Sequence, residues 1–145
     1  MSFYRFRLAR WFLGPLCSLA LISPTWAQTN AEAIEAMEAY LDFADYQGGN
    51  IADAQIPEDQ WAKYFIIDTR SADQFAKSHI PGAVNIEWRQ VLAKRDTIPK
   101  DKPVLVYCNT GTLSSQAGLA LRFAGWDNVQ ILHDGYVGYR AKRGQ

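Results

Sequence analysis

The sequence predicts an α/β fold, a central parallel sheet covered by helices on both faces. Two short runs, Tyr64-Phe-Ile-Ile67 and Val104-Leu-Val-Tyr107, are continuously apolar and rich in β-branched or aromatic residues, as strands buried on both faces are. Such runs alternate along the chain with segments of helical spacing, the pattern of a parallel sheet. The second run passes through the small, polar stretch Asn109 to Ser114 into a helix-patterned stretch, Ser115 to Ala124. That is a strand, a tight loop and a helix, with Cys108 at the strand's end.

The N-terminus is set aside first. Arg5, Arg7 and Arg10 precede an apolar run from Trp11 to Ile22, and Ser23-Pro24-Thr25-Trp26-Ala27 ends in small residues. This is the three-part form of a secretory signal peptide, residues 1 to 27, with cleavage expected after Ala27. The run is shorter than the roughly 20 apolar residues of a membrane span. The expectation is therefore a periplasmic or secreted protein with no stable membrane anchor after cleavage. Cys17 leaves with the leader. Cys108 then remains alone, without an internal disulfide partner, and an odd thiol in an oxidising compartment reads as reactive.

Charge separates few function classes. Lys and Arg number 15, as do Asp and Glu, and loss of the three leader arginines leaves a net charge of −3. No basic stripe is present, so no nucleic-acid partner is expected. His79, His133 and one cysteine show no zinc-ligand spacing, so no metal is expected.

Taken in order, residues 28 to 50 read as an acidic helix and linker. Thr29 to Glu32 resembles a capping box, and Ile34, Met37, Leu41 and Ala44 form the stripe expected to pack on the domain, before Gly48-Gly49-Asn50 breaks the helix. Residues 51 to 145 form the main domain. Gln55-Ile56 reads as a short edge strand and Pro57 to Trp61 as a helical turn. Tyr64 to Ile67 is a buried strand ending in Asp68-Thr69-Arg70, either a ligand site at the strand's carboxyl end or a surface turn closed by an ion pair. Ser71 caps a helix to Lys77, and Pro81-Gly82 turns the chain into a short strand through Ile86. Glu87 to Lys94 reads as a helix with Trp88, Val91 and Leu92 inward. Gly125 closes the helix after Cys108, Val129 to Leu132 is the last strand, and Gly135 to Arg143 the last helix.

A thiol at the end of a buried strand can simply pack. The loop after it offers another reading. Successive backbone N–H groups there can form an anion-binding nest, reinforced by the positive end of the helix dipole, and the same field favours the thiolate.

Ile67-Asp68-Thr69-Arg70, His79-Ile80-Pro81-Gly82-Ala83-Val84-Asn85 and Val106-Tyr107-Cys108-Asn109-Thr110-Gly111 together resemble the rhodanese (sulfurtransferase) family over about residues 52 to 142. Asp134-Gly135 and Tyr139 resemble the turn and aromatic residue that close such domains. The resemblance implies a rhodanese-like fold with about five parallel strands. It implies Cys108 as the nucleophile that accepts a sulfane sulfur from thiosulfate or a persulfide or polysulfide and passes it to cyanide, a thiol or an exported protein acceptor. The backbone amides of Asn109, Thr110, Gly111, Thr112, Leu113 and Ser114 would stabilise the persulfide. Arg70 would lie beside the pocket, Asp68 would hold neighbouring loops, and His79 would be structural; no cofactor is expected. Many members carry basic residues where this chain has Asn109 and Leu113, so the pocket has fewer fixed cations for a dianionic donor. Two alternatives accompany the resemblance: a non-catalytic binding or sulfur-carrier module docking through the acidic helix, and a Cys-x5-Arg phosphatase. The latter would need arginine where Ser114 stands.

Overall fold

A computed structural model describes residues 26–144, so the expected leader up to Thr25 lies outside the described residues. The elements are α1 (Trp26–Phe43), β1 (Asn50–Ile51), β2 (Phe65–Asp68), α2 (Ala72–Lys77), β3 (Val84–Asn85), β4 (Val104–Tyr107), α3 (Thr112–Phe123), β5 (Val129–Leu132) and α4 (Gly135–Lys142). Four short 3-10 segments join them. The strands form one five-stranded sheet in the order β1-β5-β4-β2-β3, and every pairing is parallel.

β4 lies at the centre and none of its four residues has measurable exposure. Its alternating side chains build two cores. Val104 and Val106 pack with Ile67, Val129, Ile131, Ala117 and Leu121 on the α3 side. Leu105 and Tyr107 pack with Ile66, Ile80, Leu132, Tyr136 and Tyr139 on the α4 side. A strand apolar at every position is thus a strand with a helix on each face. The carboxyl ends of β4 and β2 are in register, Asp68 opposite Tyr107, which brings Asp68-Thr69-Arg70 beside Cys108.

Several local expectations are corrected. The edge strand is Asn50–Ile51, paired with β5, and not Gln55-Ile56. The Gln55 side chain instead accepts from the Ala52 N–H at 2.8 Å and closes a 3-10 turn, leaving Ile56 to enter the α4-side core. Glu87 to Lys94 is not a helix: Glu87 caps the Arg89 N–H, only Trp88–Gln90 forms a 3-10 turn, and Val91 alone is fully inserted while Leu92 is exposed.

The stripe on α1 is also different. Ile34 and Leu41 are each 59% exposed, because the face turned to the domain carries Met37, Tyr40 and Ala44, which are half-buried, so only part of the expected stripe packs. There Tyr40 packs edge-on against Phe123 at 6.0 Å and Asp45 lies 3.9 Å from Arg122. Finally, α3 begins at Thr112 rather than Ser115. Gly111 takes a left-handed φ of 93°, and its carbonyl accepts the Ser115 N–H, so the helix starts three residues earlier.

Candidate active site

Cys108 follows the last residue of β4 and is 2% exposed. Three residues later the chain reaches Gly111, where a side chain would collide with the His133 carbonyl. Only glycine combines this close approach with positive φ at no steric cost. The turn therefore folds tightly against the end of β5, and the first turn of α3 curls back over the sulfur. Thr112, Leu113 and Ser114, expected in the loop, belong to that helical turn.

Burial pushes the Cys108 thiol up. The Ser114 N–H and hydroxyl, followed by the N–H groups of Thr110 and Leu113, outweigh it and hold the thiol below its ordinary value. Ser114 Oγ stands 3.6 Å from Sγ and 3.0 Å from the Gly111 carbonyl. A hydroxyl has one proton, so it serves the carbonyl beside a neutral thiol and the sulfur beside a thiolate. The amides are fixed in place before any charge forms.

The outer side of the loop is held by α4. Tyr136 N–H donates to the Cys108 carbonyl at 2.8 Å, and Val137 N–H to that of Asn109 at 3.0 Å. These are first-turn amides that lack partners within their own helix. The loop's carbonyls thus point at α4 while its amides serve the sulfur.

Arg70 is 4% exposed and forms a fork with Asp68: Nε donates to both carboxylate oxygens, and Nη2 to Oδ2 at 2.6 Å. Nη2 also donates to the Ser78 carbonyl and Nη1 to Asn109 Oδ1 at 3.3 Å. The ion pair left open in the sequence is present, and it is buried. It reaches the loop through Asn109. Burial alone would lower the Arg70 pKa, and the Asp68 carboxylate more than reverses this. His79 is exposed; its ring stacks on Phe75 at 4.0 Å, and Nδ1 lies 2.9 Å from the Phe75 carbonyl.

Three further residues complete the site. Tyr107 Oη donates to Asp68 and accepts from the Ile80 N–H; Asn85 Nδ2 donates to the carbonyls of Asp68 and Arg70; and the Tyr136 ring lies 4.3 Å beneath the Arg70 guanidinium. Tyr107 had a legible signal, since a phenol in a fully buried strand requires a partner. Asn85 is marked in the sequence only as the last residue of the His79–Asn85 run and Tyr136 not at all, because their contacts with Asp68 and Arg70 are made by the assembled strands and α4. Among the described residues, no group of three His, Cys, Asp or Glu side chains could hold a metal ion.

Comparison with known proteins adds identity to this geometry. Residues 41–142 match the family model described as a rhodanese-like domain. The chain is 38% identical over 66 residues to thiosulfate sulfurtransferase PspE of Escherichia coli K12, covering 44% of this chain and 64% of that protein. It is 36% identical over 80 residues to the adenylyltransferase and sulfurtransferase UBA4 of Meyerozyma guilliermondii, covering 50% of this chain but 19% of that much longer protein. A rhodanese-related protein from Thermoplasma volcanium shares the fold with a TM-score of 0.59 at 22% identity, covering 64% of this chain and 91% of that one.

Proposed function

The chain belongs to the rhodanese-like family, and from that premise we propose that it is a sulfurtransferase working through a persulfide on Cys108. The observation that carries this reading is the ring of donors, the amides of Thr110, Leu113 and Ser114 with the Ser114 hydroxyl, that lowers the thiol's pKa despite its burial. The same donors suit a terminal persulfide anion, which extends the negative charge one atom further into the nest.

In the first half-reaction the Cys108 thiolate attacks the outer sulfur of thiosulfate. The S–S bond of the donor breaks, sulfite leaves with the bonding pair, and Cys108 carries Sγ–S⁻. In the second, cyanide or an acceptor thiolate attacks that terminal sulfur and Cys108 departs as thiolate. In each half the sulfur moves as a sulfane atom and the leaving group keeps the bonding pair, so neither half calls for an external oxidant or reductant. A persulfide or polysulfide donor follows the same course with a thiolate leaving group.

The phosphatase alternative lacks support at Ser114, which offers a hydroxyl where phosphate chemistry needs a bidentate guanidinium. We also propose export, on the leader-like residues 1 to 27. Its test is the N-terminal sequence of the protein recovered from a secreting host: Gln28 is expected, and an intact Met1 retained inside the cell opposes it.

The catalytic test is intact mass. Reduced protein freed of reductant and incubated with thiosulfate or polysulfide gains one sulfur atom, discharged by cyanide, and the Cys108→Ser protein gains none. A folded wild type with a free thiol that takes sulfur from neither donor would favour the non-catalytic module, for which the exposed Ile34 and Leu41 on α1 are the supporting observation.

A further inference from the structure

At the amino end of the sheet, opposite the end that carries Cys108, an open cleft of about 480 Å³ lies between the C-terminal turn of α1, the end of α3 and the start of β5. That volume is within the range of small-molecule sites. Tyr40 and Phe43 supply its aromatic side, Arg122 and Gln130 its more buried part, and the exposed Asp45 and Asp127 its outer part.

Arg122 stands out among them. Its side chain is 10% exposed, yet among the described residues its guanidinium makes no hydrogen bond, and its one ion pair, with Asp45, is long at 3.9 Å. The similarly buried Arg70 donates to Asp68, Ser78 and Asn109. A buried charge without hydrogen bonds is costly, and a guanidinium brings five N–H donors that call for acceptors. Gly49 holds Arg122 in this place: its φ is 73°, and a Cβ there would collide with Nη1. Gln130 adds a second donor. Its Oε1 accepts from Tyr64 Oη at 2.9 Å, which leaves the Nε2 amino group without a partner among the described residues.

The outer part has the opposite character. Asp127 forms no ion pair among the described residues, and Asp45 forms only the long one. α1 ends at Phe43 beside them, and the C-terminal end of a helix favours positive charge. A simple anion would face two aspartates there, and a simple cation would face Arg122. Free donors inside and free acceptors outside suit a ligand that carries both charges.

We propose that this cleft binds a zwitterionic α-amino acid with an apolar side chain. The carboxylate meets Arg122 and the Gln130 amide, the ammonium meets Asp45 and Asp127, and the side chain lies along Tyr40 and Phe43. The site is separate from the Cys108 loop and independent of sulfur transfer. Its walls come from α1 on one side and from α3 and β5 on the other, so the ligand joins α1 to the domain across Gly48-Gly49.

The test is a titration of L-phenylalanine into the wild-type protein, followed through amide resonances. Saturable shifts are expected at residues 43 to 49 and 127 to 130. N-acetyl-L-phenylalanine, which lacks the ammonium and mimics the end of a peptide, and L-phenylalaninamide, which lacks the carboxylate, should each bind at least tenfold more weakly. Asp127→Asn weakens L-phenylalanine about fivefold, the scale of one exposed ion pair. Arg122→Met abolishes the shifts in a protein whose spectrum is otherwise that of the wild type; if that variant does not fold, the blocked ligands and Asp127→Asn decide alone. Absence of saturable shifts with L-phenylalanine overturns the proposal. Equal binding of either blocked form also overturns it, since the cleft would then read a lone carboxylate or a lone amine.

Discussion

Tyr107 Oη donates to Asp68 Oδ2 at 2.8 Å, and this bond joins the strand that carries the nucleophile to the strand that carries Arg70. The same oxygen accepts the Ile80 N–H at 3.0 Å, so one phenol secures three segments that converge on the site. Burial, the largest influence, pushes the Tyr107 hydroxyl well above its ordinary pKa, so it remains a donor throughout the working pH range. Tyr107→Phe keeps the ring and removes the oxygen, stranding a buried N–H and part of a buried carboxylate. The expected loss is about 1–3 kcal/mol, read as a lower midpoint in urea with an unchanged slope. An unchanged midpoint would remove Tyr107 from the scaffold.

Arg70 carries the other half of that scaffold. Arg70→Met leaves Asp68 as an uncompensated buried carboxylate, at a cost of about 3–5 kcal/mol. Arg70→Lys retains a charge but cannot span Asp68, Ser78 and Asn109 together, because an ammonium lacks the planar fork. Denaturation should therefore rank wild type above Lys above Met. Equal stability of the Lys variant and the wild type would argue that the fork geometry is irrelevant.

The thiolate has its own pH signature. Because the Cys108 pKa lies below its ordinary value, alkylation by iodoacetamide rises and reaches its plateau at lower pH than for a free cysteine. Ser114→Ala removes a donor that favours the charged form, so the midpoint moves upward and the rate below it falls. Measuring rate against pH for both proteins is sufficient. Coincident profiles would mean that the backbone amides alone set the pKa.

Gly111 and Gly82 separate backbone strain from close approach. Both have positive φ, 93° and 80°, but a side chain at Gly82 meets nothing within 4 Å and one at Gly111 strikes the His133 carbonyl. Gly82→Ala should cost about 1–2 kcal/mol, the strain of a left-handed residue. Gly111→Ala should cost more and also slow Cys108 alkylation, since the turn must open. Similar losses in stability and reactivity at both positions would show that contact with His133 contributes nothing.

The central strands of the sheet, the position of the thiol at the end of one of them and the rhodanese-like character of the chain are all readable from the amino-acid order. These are legible because buried parallel strands are continuously apolar, as in Val104 to Tyr107 and Tyr64 to Ile67, and because the motif residues lie close together in the chain. What surrounds the sulfur depends on contacts between elements far apart in the chain. That Gly111 starts the helix early depends on its packing against the end of β5, and that α4 holds the loop depends on two amides contacting carbonyls more than 25 residues away. The short elements were misjudged for the same reason. Gln55 folds back on Ala52, Val91 is fully buried while Trp88 packs at the edge of the core, and Ile34 and Leu41 stay in solvent because α1 turns its Met37 and Tyr40 face to α3. Local periodicity reports which side of an element is apolar; whether another element covers that side is a property of the assembled chain.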